Sequence, residues 1–100
     1  MKKIIYSRES LIKIKEIEAY LRETFGYQTA LNASRNLKLR IKSLKNFPYQ
    51  GSSFRDLYGI DTDYRQLYVP PNHVIYYIEE DSIEIINIYN DKEDYFSKLF

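Results

Sequence analysis

Residues 64–89 read YRQLYVPPNHVIYYIEEDSIEIINIY, three β-branched and aromatic runs at 64–69, 73–79 and 82–89 separated by the short turns PPN and EDS. Turns of that length join only antiparallel neighbours, because a parallel return needs a crossover of a dozen or more residues. The segment is therefore predicted to be an antiparallel meander. In its last run, Ile83 and Ile85 fall on one face and Ile86 and Ile88 on the other, the pattern of a central strand.

The meander needs a partner layer, and the N-terminal half supplies one. KKIIY (2–6) reads as a first strand bounded by Ser7, an N-cap candidate with Glu9 in the following turn. Leu11, Ile14, Ile17, Leu21 and Phe25 then recur at helical spacing up to Gly26. Ala30, Ala33, Leu37, Ile41 and Leu44 make a second helical stripe that Phe47-Pro48 ends. Helices joined by about two residues form an antiparallel hairpin. Residues 48–63 are turn-rich and read as an irregular loop, and EDYFSKLF as one or two closing helical turns anchored by Tyr95, Phe96 and Leu99. The expected fold is α+β: one domain over residues 1–100, with an N-terminal strand, a helix hairpin and a meander forming one twisted antiparallel sheet.

Composition narrows the chemistry. The chain has no cysteine, so disulfides and thiolate chemistry are excluded, in keeping with a cytoplasmic protein. No run approaches the ~18 apolar residues of a membrane helix. One histidine with scattered carboxylates offers no metal-ligand spacing, and the three glycines stand apart, so neither a metal nor a phosphate-bound cofactor is expected. Net charge is +1, but residues 1–47 hold eleven Lys and Arg against four Asp and Glu, while residues 48–100 hold four against ten. Arg35, Lys38, Arg40, Lys42 and Lys45 have no acidic neighbour between Gln28 and Phe47; Arg35, Lys38, Lys42 and Lys45 are expected to face solvent or an acidic partner. Tyr76 and Tyr77 point to opposite faces of their strand, one into the core and the other onto an exposed aromatic surface beside Tyr68 and Tyr89.

The opening KKIIYS, the FPYQG turn after the helices, and the series YRQLYV, HVIYY and IEIINIYNDKEDY resemble the RelE/ParE superfamily of toxins from bacterial type II toxin–antitoxin modules. The similarity covers nearly the whole chain. It implies a growth-inhibiting, plasmid-stabilising protein held inactive by an antitoxin that wraps it with a helix and an extended segment. RelE-like members cut mRNA in the ribosomal A site; ParE-like members poison DNA gyrase. HVIYY followed by an acidic turn and IEIINIY looks closer to the ParE side. After the last strand, where that side carries histidine and arginine, this sequence has Asn90 and Lys92.

Metal-free RNA cleavage needs a base, an acid and cations for the phosphorane. The candidates for such roles are Arg65, His73, Lys92 and Tyr95, with Asp91 and Glu93 nearby. Against a nuclease stand the three carboxylates crowding Lys92 in DKEDYF and the small net charge. Arg65 follows Asp61 and Asp63 and has a plain alternative as their ion-pair partner. Tyr77 and Asn90, with the basic helix, are the expected partner contacts. Gyrase binding is slightly preferred to mRNA cleavage, and a non-toxic binding module on the same fold is a third reading.

Overall fold

The structure, a computed structural model, describes residues 1–100. The chain runs β1 (Lys3–Tyr6), α1 (Arg8–Phe25), α2 (Tyr27–Lys42), a 3-10 turn (Ser43–Lys45), β2 (Ser52–Ser53), α3 (Phe54–Tyr58), β3 (Arg65–Val69), β4 (Asn72–Ile78), β5 (Ser82–Asn90) and α4 (Tyr95–Leu99). The five strands form one sheet in the order β1-β5-β4-β3-β2.

The expected α+β class and meander are present, with one change in direction. β1 runs parallel to β5, pairing Ile4 with Ile83, so the sheet is mixed. The helix hairpin carries the chain across the sheet from β1 at one edge to β2 at the other, and the meander then returns to set β5 beside β1. A single residue, Gly26, separates α1 from α2, at φ 96° and ψ 169°. The predicted irregular loop at 48–63 contains β2 and α3, because Ser53 caps α3 by accepting from Asp56 N–H at 3.0 Å.

α1 turns the middle of its predicted stripe inward, Ile14 in the core and Ile17 packed against it, but not its two ends. Ser10 and Ile14 are buried, while Leu11 and Phe25 are 49% and 60% exposed. Ser10 can sit inside because its hydroxyl donates to Ser7 O at 2.8 Å. Ser7 ties the start of α1 to the sheet, its hydroxyl donating to Ile86 O at 2.6 Å.

Ile86 is a bulge. Ile75 pairs with Asn87 and Tyr76 with Ile85, so Ile86 has no partner across the ladder. The extra residue reverses the alternation, and Ile88 joins Ile83 and Ile85 on the helix side instead of facing away from them. The main core holds these three with Ile14, Leu37, Ile41, Leu44, Leu67, Val69, Val74 and Tyr76. Each such aliphatic side chain contributes about 1.5–3 kcal/mol on burial. The opposite face is covered as well: Phe54 of α3 with Tyr95 and Leu99 of the C-terminal segment packs over Ile75 and Tyr89.

Candidate functional site at the strand ends

The two-residue turn Pro70-Pro71 sets Tyr68 opposite His73 in the β3–β4 ladder. Tyr68, His73 and Gln66 share the face opposite the helix hairpin, since strand residues two apart point the same way. Beyond β5, Asp91 donates its backbone N–H to Pro71 O at 2.9 Å, which brings its carboxylate up to the same turn. Asp91 Oδ1 lies 2.6 Å from His73 Nε2, and Oδ2 accepts from the Tyr68 hydroxyl at 2.8 Å. His73 Nδ1 lies 2.8 Å from Gln66 Oε1. The imidazole is stacked on Tyr68 (ring centres 4.6 Å apart) and flanked by Tyr95 at 5.0 Å. Tyr95 donates its hydroxyl to Gln66 Oε1 at 3.3 Å.

The Asp91 carboxylate and Gln66 Oε1 can both only accept, so each of these contacts is met by an N–H of the His73 ring. The Tyr68 hydroxyl, and after it His73, hold the Asp91 carboxyl below its usual range. The same bond to Asp91 pushes the Tyr68 phenol up. Burial, with the Tyr58 hydroxyl beside it, pushes Tyr95 up to about 12. Both edges of the imidazole are thus occupied and both faces covered. What the cluster offers a partner is the outer part of Tyr68, 46% exposed, and the Asp91 carboxylate.

A second set of contacts supports the first. Glu93 takes Lys13 at 3.3 Å and Lys98 at 3.0 Å, and its Oε1 accepts from Asn90 N–H at 3.0 Å. Burial pushes the Glu93 carboxyl up, but the Asn90 amide and the two lysines outweigh it and leave it lowered. Both lysines lie over the Tyr89 ring, and Tyr89 stacks on Tyr95 at 5.7 Å.

The residues expected to act together are divided. His73 and Tyr95 meet; Arg65 does not join them. Arg65 sits on the hairpin side of β3 and donates to Gly51 O at 2.6 Å and Tyr49 O at 3.3 Å, its guanidinium over the Tyr49 ring. It pairs with neither Asp61 nor Asp63, both of which are taken by Arg55. The expected crowding of Lys92 is absent. Asp91 goes to His73, Glu93 to Lys13 and Lys98, and Asp94 caps α4 through Ser97, leaving Lys92 exposed and without an ion pair. Asn90 is used locally, its Oδ1 accepting from Lys92 N–H at 2.9 Å.

The aromatic surface is also smaller than expected. Tyr76 is the member of its pair that packs in the core, as expected, but Tyr89 is 7% exposed under the C-terminal segment and Tyr77 is half-buried against Tyr64. Arg35, Lys38, Lys42 and Lys45 lie together on α2 and the following turn, and none forms an ion pair. Sequence reading missed Gln66 and Lys13. Gln66 was accessible through strand alternation from Tyr68; Lys13 reaches Glu93 only through the packing of α1 on β5.

The profile of a family described as "ParE toxin of type II toxin-antitoxin system, parDE" matches residues 4–95. No curated protein matches the chain in sequence. Among solved structures, a chain of the "Chromosomal ParDE TA system from P. aeruginosa" is similar in fold, with a TM-score of 0.74. It is 18% identical, and the match covers 90% of this chain and 96% of that one.

Proposed function

This chain belongs to the ParE toxin family of type II toxin–antitoxin systems, and we propose that it arrests growth by binding DNA gyrase, without hydrolytic chemistry of its own, until a cognate antitoxin neutralises it in the cytoplasm. The observation that carries the gyrase reading is the closure of the strand-end cluster. His73 has Gln66 on one ring nitrogen and Asp91 on the other. A general base needs a free nitrogen within reach of the proton it takes. Lys13 and Lys98 are both tied to the single carboxylate of Glu93, and Arg65 belongs to the other face. A surface of this kind fits a protein target better than a scissile phosphate.

The test is a supercoiling assay with purified gyrase. Inhibition, with cleaved DNA accumulating on the enzyme, is expected at stoichiometric toxin. Undiminished supercoiling, with folded toxin present, would remove this reading.

One contact favours RelE-like mRNA cleavage as the second reading: the 2.6 Å approach of His73 to Asp91, beside the Tyr95 phenol, has the form of an acid–base pair. Primer extension on a message under translation distinguishes the two. New ends inside the A-site codon would establish cleavage; an intact message supports gyrase. A non-toxic binding module predicts no growth arrest when the chain is expressed alone.

A further inference from the structure

α2 buries Ala30, Ser34, Leu37 and Ile41 and turns its other side to solvent. Arg35, Lys38, Lys42 and Lys45 follow one another at intervals of three, four and three residues, so they stand in one row on that side. Arg35 and Lys42 are two helical turns apart, about 10 Å along the axis. None of the four forms an ion pair. No Asp or Glu stands between Glu23 and Asp56, so nothing in the adjoining sequence offsets the row.

The remaining charge leaves this row uncompensated. α1, packed beside α2, is balanced, with four basic residues against four acidic ones. Asp56 lies on α3 and Asp94 caps α4, and these two helices cover the opposite face of the sheet. The molecule is therefore electrically polarised across its sheet. On the α2 side, a shallow groove of about 350 Å³ is lined by Arg35, Lys38, Leu39 and Lys42. Leu39 is the only large apolar side chain exposed between Gln28 and Asn46. The exposed amides of Asn32 and Asn36 belong to the same helix.

We propose that this face of α2 contacts the phosphate backbone of duplex DNA, the duplex being the one that gyrase carries. The choice of that duplex rests on the gyrase reading. Arg35, Lys38, Lys42 and Lys45 displace the counterions condensed on the duplex, and neighbouring amides donate to phosphate oxygens. A protein partner needs an aromatic or apolar anchor at the centre of its interface, and a single leucine does not supply one. A single strand needs exposed aromatic rings on which its bases stack, and none stands in this row. Phosphate contacts carry no sequence information, so the binding is independent of sequence.

The test is the fluorescence anisotropy of a labelled DNA duplex of random sequence, titrated with the full chain at several salt concentrations. The slope of log K against log salt is expected to be about −3 to −4, near −0.9 for each of four phosphates. The double substitution Lys38→Gln and Lys42→Gln falls at exposed positions where glutamine keeps the helix. It is expected to make the slope shallower by about 2. Arg55→Gln, whose partners are Asp61 and Asp63, leaves the slope unchanged. In the supercoiling assay, about tenfold more of the double variant is expected to be needed for the same inhibition. No duplex binding at low salt, or a slope that the double variant does not alter, overturns the inference. Equal inhibition of gyrase by the variant and the parent chain also overturns it, and leaves the gyrase reading standing. A variant that keeps DNA binding and inhibition, but is no longer neutralised by the small protein encoded beside it, assigns the row to an acidic protein and overturns the inference too. A parent chain that binds the duplex but leaves supercoiling untouched removes the gyrase reading, whereas the duplex contact stands.

Discussion

The hydroxyl oxygen of Tyr76 stands 2.6 Å from the point where a Cβ on residue 51 would lie. Gly51 is there because there is no room for anything larger; Gln66 O, a backbone atom that cannot turn aside, is 2.5 Å from the same point. In exchange, the buried hydroxyl donates to Pro48 O at 2.7 Å and accepts from Gly51 N–H at 3.1 Å. This contact joins the turn after the helices to the middle of the sheet. Gly51→Ala is expected to lower stability by about 2 kcal/mol or more through overpacking. Tyr76→Phe, which keeps the ring and strands both backbone groups, is expected to cost about 1–3 kcal/mol. Urea denaturation measures both, and an unchanged midpoint in either variant would contradict the close packing described.

Arg65 belongs to the same joint. Its guanidinium holds Gly51 O and Tyr49 O and lies 5.1 Å from the centre of the Tyr49 ring. Arg65→Ala is therefore expected to act on folding, at a cost of about 1–3 kcal/mol for hydrogen bonds to a charged donor. Arg65→Lys restores only part of this, since an ammonium can neither bridge two carbonyls as a planar fork nor stack in the same way. Growth arrest should decline only as far as the folded fraction does. A stable Arg65→Ala protein without toxicity would instead make Arg65 a target contact.

These two residues show where sequence reading succeeds and where it stops. The meander was legible because short turns and β-branched runs are local signals, and the hairpin because its stripes have helical spacing. The parallel docking of β1 on β5 pairs residues nearly eighty apart and leaves no mark on either strand. The bulge at Ile86 is equally silent, yet it decides that Ile88 faces the helices. His73 and Tyr95 were candidates by residue type, and strand order brings them together. Arg65 carried the same kind of signal, but its odd place in β3 sends it to the other face, a consequence of alternation that residue type cannot express.

Acid should loosen the strand-end cluster. Asp91 is held low by the Tyr68 hydroxyl and then by His73, and Asp94 by its bonds to Ser97. A carboxyl lowered in the folded state stabilises it fully above the unfolded pKa, about 4, and that contribution disappears as pH falls through the lower folded value. Stability should therefore drop in the range below about pH 4. Asp91→Asn should be less stable at neutral pH but show a shallower acid slope. Urea midpoints collected from neutral pH down to pH 3 test this; an equal slope in the variant would show that Asp91 is not responsible.

Tyr95 separates ring from hydroxyl. Its ring stacks on Tyr89 and flanks His73, while its hydroxyl makes only a long 3.3 Å bond to Gln66. Tyr95→Phe is expected to cost less than about 1 kcal/mol. Tyr95→Ala, which removes the anchor of α4, should cost about 2–3 kcal/mol. Because burial and the neighbouring Tyr58 hydroxyl push Tyr95 up to about 12, the phenylalanine variant is expected to lose an alkaline part of the tyrosinate absorbance titration. On the gyrase reading, Tyr95→Phe keeps its toxicity; loss of growth arrest in a stable variant would return Tyr95 to a chemical role.

Gly26 and Gly59 both have positive φ, yet they should respond differently to asparagine. Gly59 closes α3 at φ 67° and ψ 24°, within the left-handed helical region that asparagine tolerates. Gly26, at φ 96° and ψ 169°, lies in an extended region open essentially to glycine alone. No atom lies within 4 Å of a Cβ built at either position, so the difference is one of backbone conformation without steric contact. Gly59→Asn is expected to change stability by less than about 0.5 kcal/mol. Gly26→Asn and Gly26→Ala should each cost about 1–3 kcal/mol, because neither side chain suits the only link between the two helices. Gly26→Ala carries a further effect: alanine favours continuing α1 straight into α2. Urea midpoints of the three variants decide the matter, and an asparagine tolerated equally at both positions would mean that the backbone at Gly26 relaxes into the left-handed region without disturbing the hairpin.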